Sequence, residues 1–139
     1  YLASRQLIRS GELTRVLGTT PLTILAPSDL GAEILFFTPH RIVASNYHRQ
    51  GAGLEFLWDA NRMSDAEALR AHLATRGVGA ILACPTIEAS KGSILEPLTL
   101  GATPPDWLTS VDYTLPTTPR LLQTDSPRII SRPALLKVN

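Results

Sequence analysis

The chain has 139 residues, 44% of them hydrophobic and 18% charged, and its 13 basic and 12 acidic side chains leave a net charge of +1. This composition is typical of one folded domain, which we assign to residues 1–139, and excludes a disordered or fibrous chain. The balanced charge disfavours nucleic acid as a partner, and one cysteine without zinc-type spacing predicts no disulfide, no metal site and no cofactor.

The first half of the chain alternates two kinds of apolar pattern. Apolar residues spaced along one helical face indicate helices, and short apolar runs that end at proline or a polar turn indicate buried strands. The predicted elements are a helix over residues 4–18, a strand in "PLTILAP" (21–27), a short helix in "AEILFF" (32–37), a strand in "RIVAS" (41–45), two helices within residues 52–77 and a strand in "GAILACP" (79–85). Strands that alternate with helices in this way predict a parallel sheet in a layered α/β fold.

Several polar residues and glycines mark the expected helix ends. Ser28 or Asp29 is expected to cap the short helix that follows it. Ser64 and Glu67 match the S-x-x-E capping box, and Gly77 is the expected C-cap of the same helix. Three further side chains are predicted to lie in the core: Trp58, Met63 and Cys84.

The last third of the chain is rich in proline, because most of the eleven prolines in the whole sequence lie at or after Pro85. Here we predict a short helix around "PPDWLTS" (104–110) and strands over residues 120–123 and 128–131 joined by "TDSP". Trp107 is interpreted either as a core residue or as a partly exposed anchor. The predicted fold class is therefore α/β, with a short, mostly parallel sheet flanked by helices in a three-layer, Rossmann-like arrangement and an antiparallel C-terminal hairpin.

Two familiar site motifs are absent from the sequence. The "GAG" at residues 51–53 follows "YHRQ" and lacks the third glycine of a dinucleotide-binding loop, so we interpret its glycines as turn residues. Ser28 in "APSDLG" lacks the leading glycine of a nucleophile elbow, which argues against a serine hydrolase.

The candidate site residues are Asp29, His40, Tyr47, His48 and Arg49. Asp29 follows the first strand, whereas the Tyr47–Arg49 run follows the second, and in a parallel sheet both positions lie at the carboxyl edge, where α/β folds bind ligands. His40 precedes the second strand. The cluster is interpreted either as a ligand site or as a structural network in which Asp29 caps a helix and Arg49 pairs with an acid. No catalytic residue is assigned.

The region over about residues 22–85 resembles a known family of membrane proteins. The stretch "ILAPSDLGAEILFFTPHRIVASNYHRQGAG" (24–53), followed by a capped helix and "RGVGAILACP" (76–85), is similar to the soluble C-terminal portion of multi-pass bacterial inner-membrane proteins of the GT-C glycosyltransferase type. Those proteins carry "DLGP" and "YHRN" where this chain has "DLGA" and "YHRQ". A second likeness, to the soluble domain of the oligosaccharyltransferase catalytic subunit, rests on Asp29, Leu30 and Gly31, but "PS" replaces the paired tryptophans of that motif.

The resemblance implies a location and a role. It implies a fragment of a longer chain, with this domain on the periplasmic side of the inner membrane and the transmembrane part of the same chain as its partner. The substrate class would be a lipid-linked sugar or its acceptor. In such enzymes the catalytic carboxylates belong to the membrane portion, so this domain would be accessory and would have no turnover alone. The alternative is a stand-alone soluble ligand-binding domain, or a hydrolase that uses Asp29 and His48.

Overall fold

The computed structural model describes residues 2–45, 51–84, 89–116 and 132–139. In these segments the chain forms an α/β fold in which a five-stranded mixed sheet is flanked by helices. The helices are α1 (Leu2–Arg9), α2 (Glu12–Leu17), α3 (Gly31–Phe37), α4 (Gly51–Arg62), α5 (Ala66–Ala74) and α6 (Leu95–Thr99). The strands are β1 (Thr23–Leu25), β2 (Arg41–Ile42), β3 (Val78–Ala83), β4 (Leu108–Ser110) and β5 (Ala134–Val138).

The predicted parallel unit is confirmed. In the sheet order β2-β1-β3-β5-β4, strand β1 pairs in parallel with both β2 and β3. Strand β5 pairs antiparallel with β3 and with β4, so in the described part of the sheet the two kinds of pairing are equally frequent. The expectation of a mostly parallel sheet was therefore too strong, and the hairpin predicted over residues 120–131 lies outside the described residues.

Successive side chains along the strands pack into two separate hydrophobic clusters. On β3, Ile81 belongs to one cluster and Leu82 to the other, as the two-residue period of a strand requires. Helices α4, α5 and α6 supply the cluster that contains Ile81, and helices α1, α2 and α3 supply the cluster that contains Leu82. The sheet is thus covered by apolar helical faces, which positions its strand ends at the rim of the domain.

The first predicted helix is divided into two by Gly11. Its φ of 85° is left-handed and glycine adopts it without strain, so α1 ends before it and α2 starts after it. The apolar spacing continues across this break: Leu7 and Ile8 in α1 pack in the same cluster as Leu13 and Leu17 in α2. Periodicity therefore predicted the buried face correctly but not the interruption.

The cap of α5 differs by one residue from the prediction. Asp65, not Ser64, is the N-cap, and its Oδ1 accepts a hydrogen bond of 3.2 Å from the Glu67 backbone N–H. The helix ends at Ala74, with Thr75 as its C-cap, so the expected C-cap Gly77, whose φ is 61°, lies three residues beyond the helix end. Helix α3, in contrast, begins at Gly31 with Leu30 as its N-cap and has no side-chain cap, because Ser28 and Asp29 lie in a preceding 3-10 turn.

This cap yields a stability prediction. Asp65→Ala removes the acceptor for one of the otherwise unpaired amides of the first turn, and we expect the free energy of unfolding to fall by about 1 kcal/mol. Ser64→Ala is the matched control, because the capping role does not belong to Ser64, and should change stability by less than about 0.5 kcal/mol. Urea unfolding of both variants measures the difference, and equal losses would show that the cap is misassigned.

The last third of the chain departs most from the sequence predictions. Residues 108–110 form strand β4 where a short helix was predicted, and both α6 and the central strand β5 were missed. Trp107 is only 7% exposed and so is part of the core, not an exposed anchor, whereas Trp58 is 57% exposed and is not in the core. Met63 packs against the first cluster and Cys84 is buried, as expected.

Two polar contacts attach the segment after β4 to the rest of the domain. The Glu12 carboxylate accepts hydrogen bonds from the Arg15 guanidinium and from the Thr114 backbone N–H, and these lower the pKa of Glu12 from 4.5 to about 2, with Arg15 as the larger cause. The Tyr113 hydroxyl donates to the Pro133 carbonyl, and burial raises the pKa of that hydroxyl. The Arg132 guanidinium lies 4.9 Å from the centre of the Tyr113 ring.

Candidate functional site

The candidate site is the rim formed by the carboxyl ends of β1, β2 and β3. Because β1 is parallel to both neighbours, the chain leaves all three strands on the same side of the sheet. The residues that follow the strands are Ala26–Asp29 after β1, Val43–Ser45 after β2 and Cys84 after β3. We call this the carboxyl edge. It corresponds to the place where ligands bind in open α/β sheets.

Asp29 lies on the carboxyl edge, as predicted. It is exposed, and it sits in the 3-10 turn Ser28–Leu30 that joins β1 to α3. On the same edge, Ser45 is buried at the end of the described segment that follows β2. Neither residue is without an interaction partner. Tyr47, His48 and Arg49, the other predicted members of this cluster, lie outside the described residues.

His40 does not belong to the carboxyl edge. It comes immediately before β2, and its Nδ1 accepts a hydrogen bond of 3.1 Å from the Leu22 N–H, which lies immediately before β1. This places His40 at the amino end of the parallel pair, on the opposite side of the sheet from Asp29. His40 is therefore not on the rim that carries Asp29, because a residue before a parallel strand lies at the opposite end of the sheet from residues after one. Its role in ligand binding stays a prediction.

The environment of His40 is that of a neutral, structural histidine. The side chain is only 2% exposed, and its Nε2 has no hydrogen-bond partner among the described residues. Burial lowers the pKa of His40 below the usual 6.5, and the Gly18 backbone opposes this in part. An imidazole nitrogen that accepts a hydrogen bond carries no proton. The hydrogen bond from the Leu22 N–H to Nδ1 and the lowered pKa of His40 therefore both indicate a neutral ring.

Two glycines allow helices to pack directly on the segment that follows β2. A Cβ atom built on Gly31 would lie 2.6 Å from the Ala44 carbonyl oxygen, and one built on Gly53 would lie 2.5 Å from the Val43 carbonyl oxygen. Gly31 begins α3 and Gly53 lies in the first turn of α4, so the starts of both helices contact residues 43–45. The interpretation of "GAG" as turn glycines was therefore wrong: Gly53 is a site of close approach between backbones.

These glycines are the functional signal that the sequence analysis missed. A glycine inside a helix costs about 1 kcal/mol relative to alanine, so its presence in a predicted helix indicates a packing or functional reason. In this chain the reason is geometric. The starts of α3 and α4 both pack against the segment that follows β2, and this contact fixes the position of residues 43–45.

A small cavity of about 20 Å³ lies beneath the carboxyl edge, between β1, β3, α4 and α6. That volume holds about one water molecule and no larger ligand. Its wall is mostly apolar, and its polar members are Asn61 and Thr99. The Asn61 Nδ2 donates to the Leu57 carbonyl at 3.0 Å, and the Thr99 hydroxyl donates to the Glu96 carbonyl at 2.6 Å. A ligand at this edge would therefore bind on the rim and not in the interior.

Cys84 follows β3 and lies in the core. It is 4% exposed, and its Sγ lies 3.2 Å from the Ser4 Oγ of α1, so the thiol and the hydroxyl satisfy each other. The described residues include no group of three or more His, Cys, Asp or Glu side chains that could hold a metal ion. What the carboxyl edge can provide is hydrogen bonding through Asp29 and backbone groups. The described part of it holds no pair of acid and base side chains.

The comparisons with known proteins give no match: no protein-family model, no curated protein and no solved structure is similar to this chain. No helix in the described segments has the length and apolar character required to cross a bilayer.

Proposed function

We propose that the chain is a periplasmic accessory domain of a bacterial inner-membrane protein of the glycosyltransferase type, and that it contacts a lipid-linked sugar or its acceptor through the carboxyl edge. Its partner would be the transmembrane part of the same protein, and the domain would have no turnover alone. The resemblance over residues 22–85 supports the family and the location. The parallel β1–β2–β3 unit, which carries Asp29 to an exposed rim, is the observation that supports ligand contact.

The chemistry of the edge suits a sugar. A carboxylate accepts hydrogen bonds from sugar hydroxyls, and an exposed rim without a deep cavity fits a ligand that is bound from one side. The two apolar clusters on opposite faces of the sheet support the further proposal that the domain is a three-layer, Rossmann-like fold, to which this mode of binding belongs.

The ligand contact is tested by titration of the ¹⁵N-labelled chain with sugar phosphates and with short polyprenyl phosphate analogues. We expect amide shifts at residues 28–31 and 43–45, and an affinity that falls by about tenfold or more in Asp29→Asn, because a hydrogen bond to a charged group contributes about 1.5–3 kcal/mol. Asp112→Asn is the control: it removes the same charge from an exposed position after β4. Binding that is equal in both variants would leave the carboxyl edge with a structural role only.

A stand-alone ligand-binding domain is the second candidate, since the same exposed rim would serve it equally. The two functions differ in the coding sequence upstream of residue 1. Several apolar segments of about 20 residues there would support the membrane protein, because each is long enough to cross a bilayer. A soluble reading frame would contradict the membrane proposal while leaving the ligand test unchanged.

A further inference from the structure

Helix α3 exposes three consecutive apolar side chains. Phe36 is 82% exposed, Leu35 is 46% exposed and Phe37 is 42% exposed. The same helix buries Gly31 and Ile34 against the sheet, so the outward side chains are those for which the core has no place. Single exposed apolar residues are ordinary, but a contiguous run of three is typical of an interaction surface.

The exposed rings are held in place by their neighbours. The Phe36 and Phe37 rings meet edge to face, with centroids 4.8 Å apart, and the Arg9 guanidinium lies 5.7 Å from the centre of the Phe37 ring. Arg9 belongs to α1 and also donates to the Glu33 carboxylate at 3.1 Å, as Arg5 does at 2.9 Å. The surface is therefore built from two helices. We call Leu35, Phe36, Phe37, Arg5 and Arg9 the α3 patch.

The charge of the α3 patch is positive. Two guanidinium groups share the one carboxylate of Glu33, and the arginine side chains are 45% and 57% exposed whereas the carboxylate side chain is 17% exposed. A partner of this surface must therefore accept aromatic side chains and must also carry negative charge.

An anionic bilayer surface satisfies both requirements. Aromatic and aliphatic side chains enter the boundary between headgroups and acyl chains, while neighbouring arginines remain at the level of the phosphates. A second copy of the chain fits less well, because a two-fold contact across this patch would bring Arg5 and Arg9 of both copies together. An acidic peptide would account for the arginines but not for the exposed phenylalanines.

We propose that the α3 patch docks the domain on an anionic lipid bilayer. The proposal rests on the proposed function only in that both place the domain at a membrane, and it does not involve the carboxyl edge. It assigns Phe36 and Phe37 to the lipid boundary, and Arg5 and Arg9 to the lipid phosphates.

The test is co-sedimentation of the full 139-residue chain with vesicles of phosphatidylcholine alone and of phosphatidylcholine mixed with phosphatidylglycerol. We expect binding to the mixed vesicles and at least tenfold weaker partitioning for the double variant Phe36→Ser with Phe37→Ser, because burial of each ring drives insertion. Arg9→Gln should weaken binding about fivefold and make it less sensitive to salt. The control is Trp58→Ser, which removes an exposed aromatic from α4 and should leave partitioning within about twofold of the parent chain.

Several results would overturn the docking proposal: no binding to mixed vesicles, equal binding by the double variant, or an equal loss in Trp58→Ser. Sedimentation velocity without lipid adds another, since a self-association that disappears in Phe36→Ser would assign the patch to a second copy. Circular dichroism melts confirm that each variant folds. Ligand shifts at the carboxyl edge, measured without vesicles, keep the two proposals separate: shifts with no vesicle binding contradict the docking alone, and vesicle binding with no shifts contradicts the ligand contact alone.

Discussion

Gly53→Ala should lower the free energy of unfolding by about 2 kcal/mol, although alanine is the better helix former. The added methyl group would lie 2.5 Å from the Val43 carbonyl oxygen, and its other close neighbours, the Val43 carbonyl carbon and the Ala44 Cα, also belong to the backbone. No flexible side chain can move aside, so the start of α4 must shift. Overpacking of this kind costs about 1–3 kcal/mol or more, which exceeds the gain of at most about 1 kcal/mol in helix propensity.

Gly51→Ala is the matched control for this prediction. It lies two residues earlier in the same helical turn, and a Cβ atom there meets nothing within 4 Å. We expect it to leave stability unchanged or to raise it by less than about 1 kcal/mol. Urea unfolding measures the free energy of unfolding of both variants. We expect a clear loss for Gly53→Ala and no loss for Gly51→Ala. A similar effect at both positions would show that helix propensity, not close packing, explains the glycines.

Gly31→Ala should act on the same segment from the other side. Its Cβ would lie 2.6 Å from the Ala44 carbonyl oxygen and 2.9 Å from the Ile42 Cδ1 and the Ser45 Cβ. Because Gly31 and Gly53 both contact residues 43–45, a shift of that segment that accommodates one methyl group would also relieve the other. The double variant should consequently lose less stability than the sum of the single losses.

The first half of the fold was readable from the sequence because its signals are local. Short apolar runs that end at proline or a polar turn define β1 and β3, and the pattern of α4 and α5 survives in the structure. Parallel pairing of β1 with β2 follows from the helix between them, since the crossover fixes their direction. Asp29 reaches the carboxyl edge for the same reason, so one local pattern predicted both the sheet and part of the site.

The second half of the fold could not be predicted from the sequence, because its strands are defined by pairing between residues that are far apart in the chain. Strand β5 lies between β3 and β4 through pairs such as Ile81↔Leu136, whose two residues are separated by more than a third of the chain. No local feature of "PALLKV" distinguishes a central strand from a tail. Prolines also led to the wrong prediction for β4, because "PPDWLTS" resembles the start of a helix. Whether Trp58 or Trp107 is buried depends on which helix face or strand face meets the sheet, and apolarity alone does not decide that.

His40→Ala should lower the free energy of unfolding by about 2–4 kcal/mol at neutral pH. The substitution leaves a cavity where the ring is only 2% exposed, and it leaves the Leu22 N–H without its acceptor at the amino end of the parallel pair. His40→Asn separates these effects, because the asparagine Oδ1 can accept the same hydrogen bond from a similar position. We expect His40→Asn to lose roughly half as much free energy of unfolding as His40→Ala, as measured by urea unfolding.

The same residue gives the stability of the domain a pH dependence of known sign. Burial lowers the pKa of His40 in the folded chain below 6.5, so the unfolded chain binds the proton first as the pH falls. The contribution of His40 to stability is therefore complete above about pH 6.5 and is lost as the pH falls from there toward the folded pKa. In His40→Asn this loss should be absent. Unfolding at about pH 7.5 and about pH 5.5 measures it as the difference between the parent chain and the variant, which share all other ionisable groups. A parent chain and variant that lose stability equally on acidification would contradict a neutral, buried His40, and with it the assignment of this histidine to the scaffold.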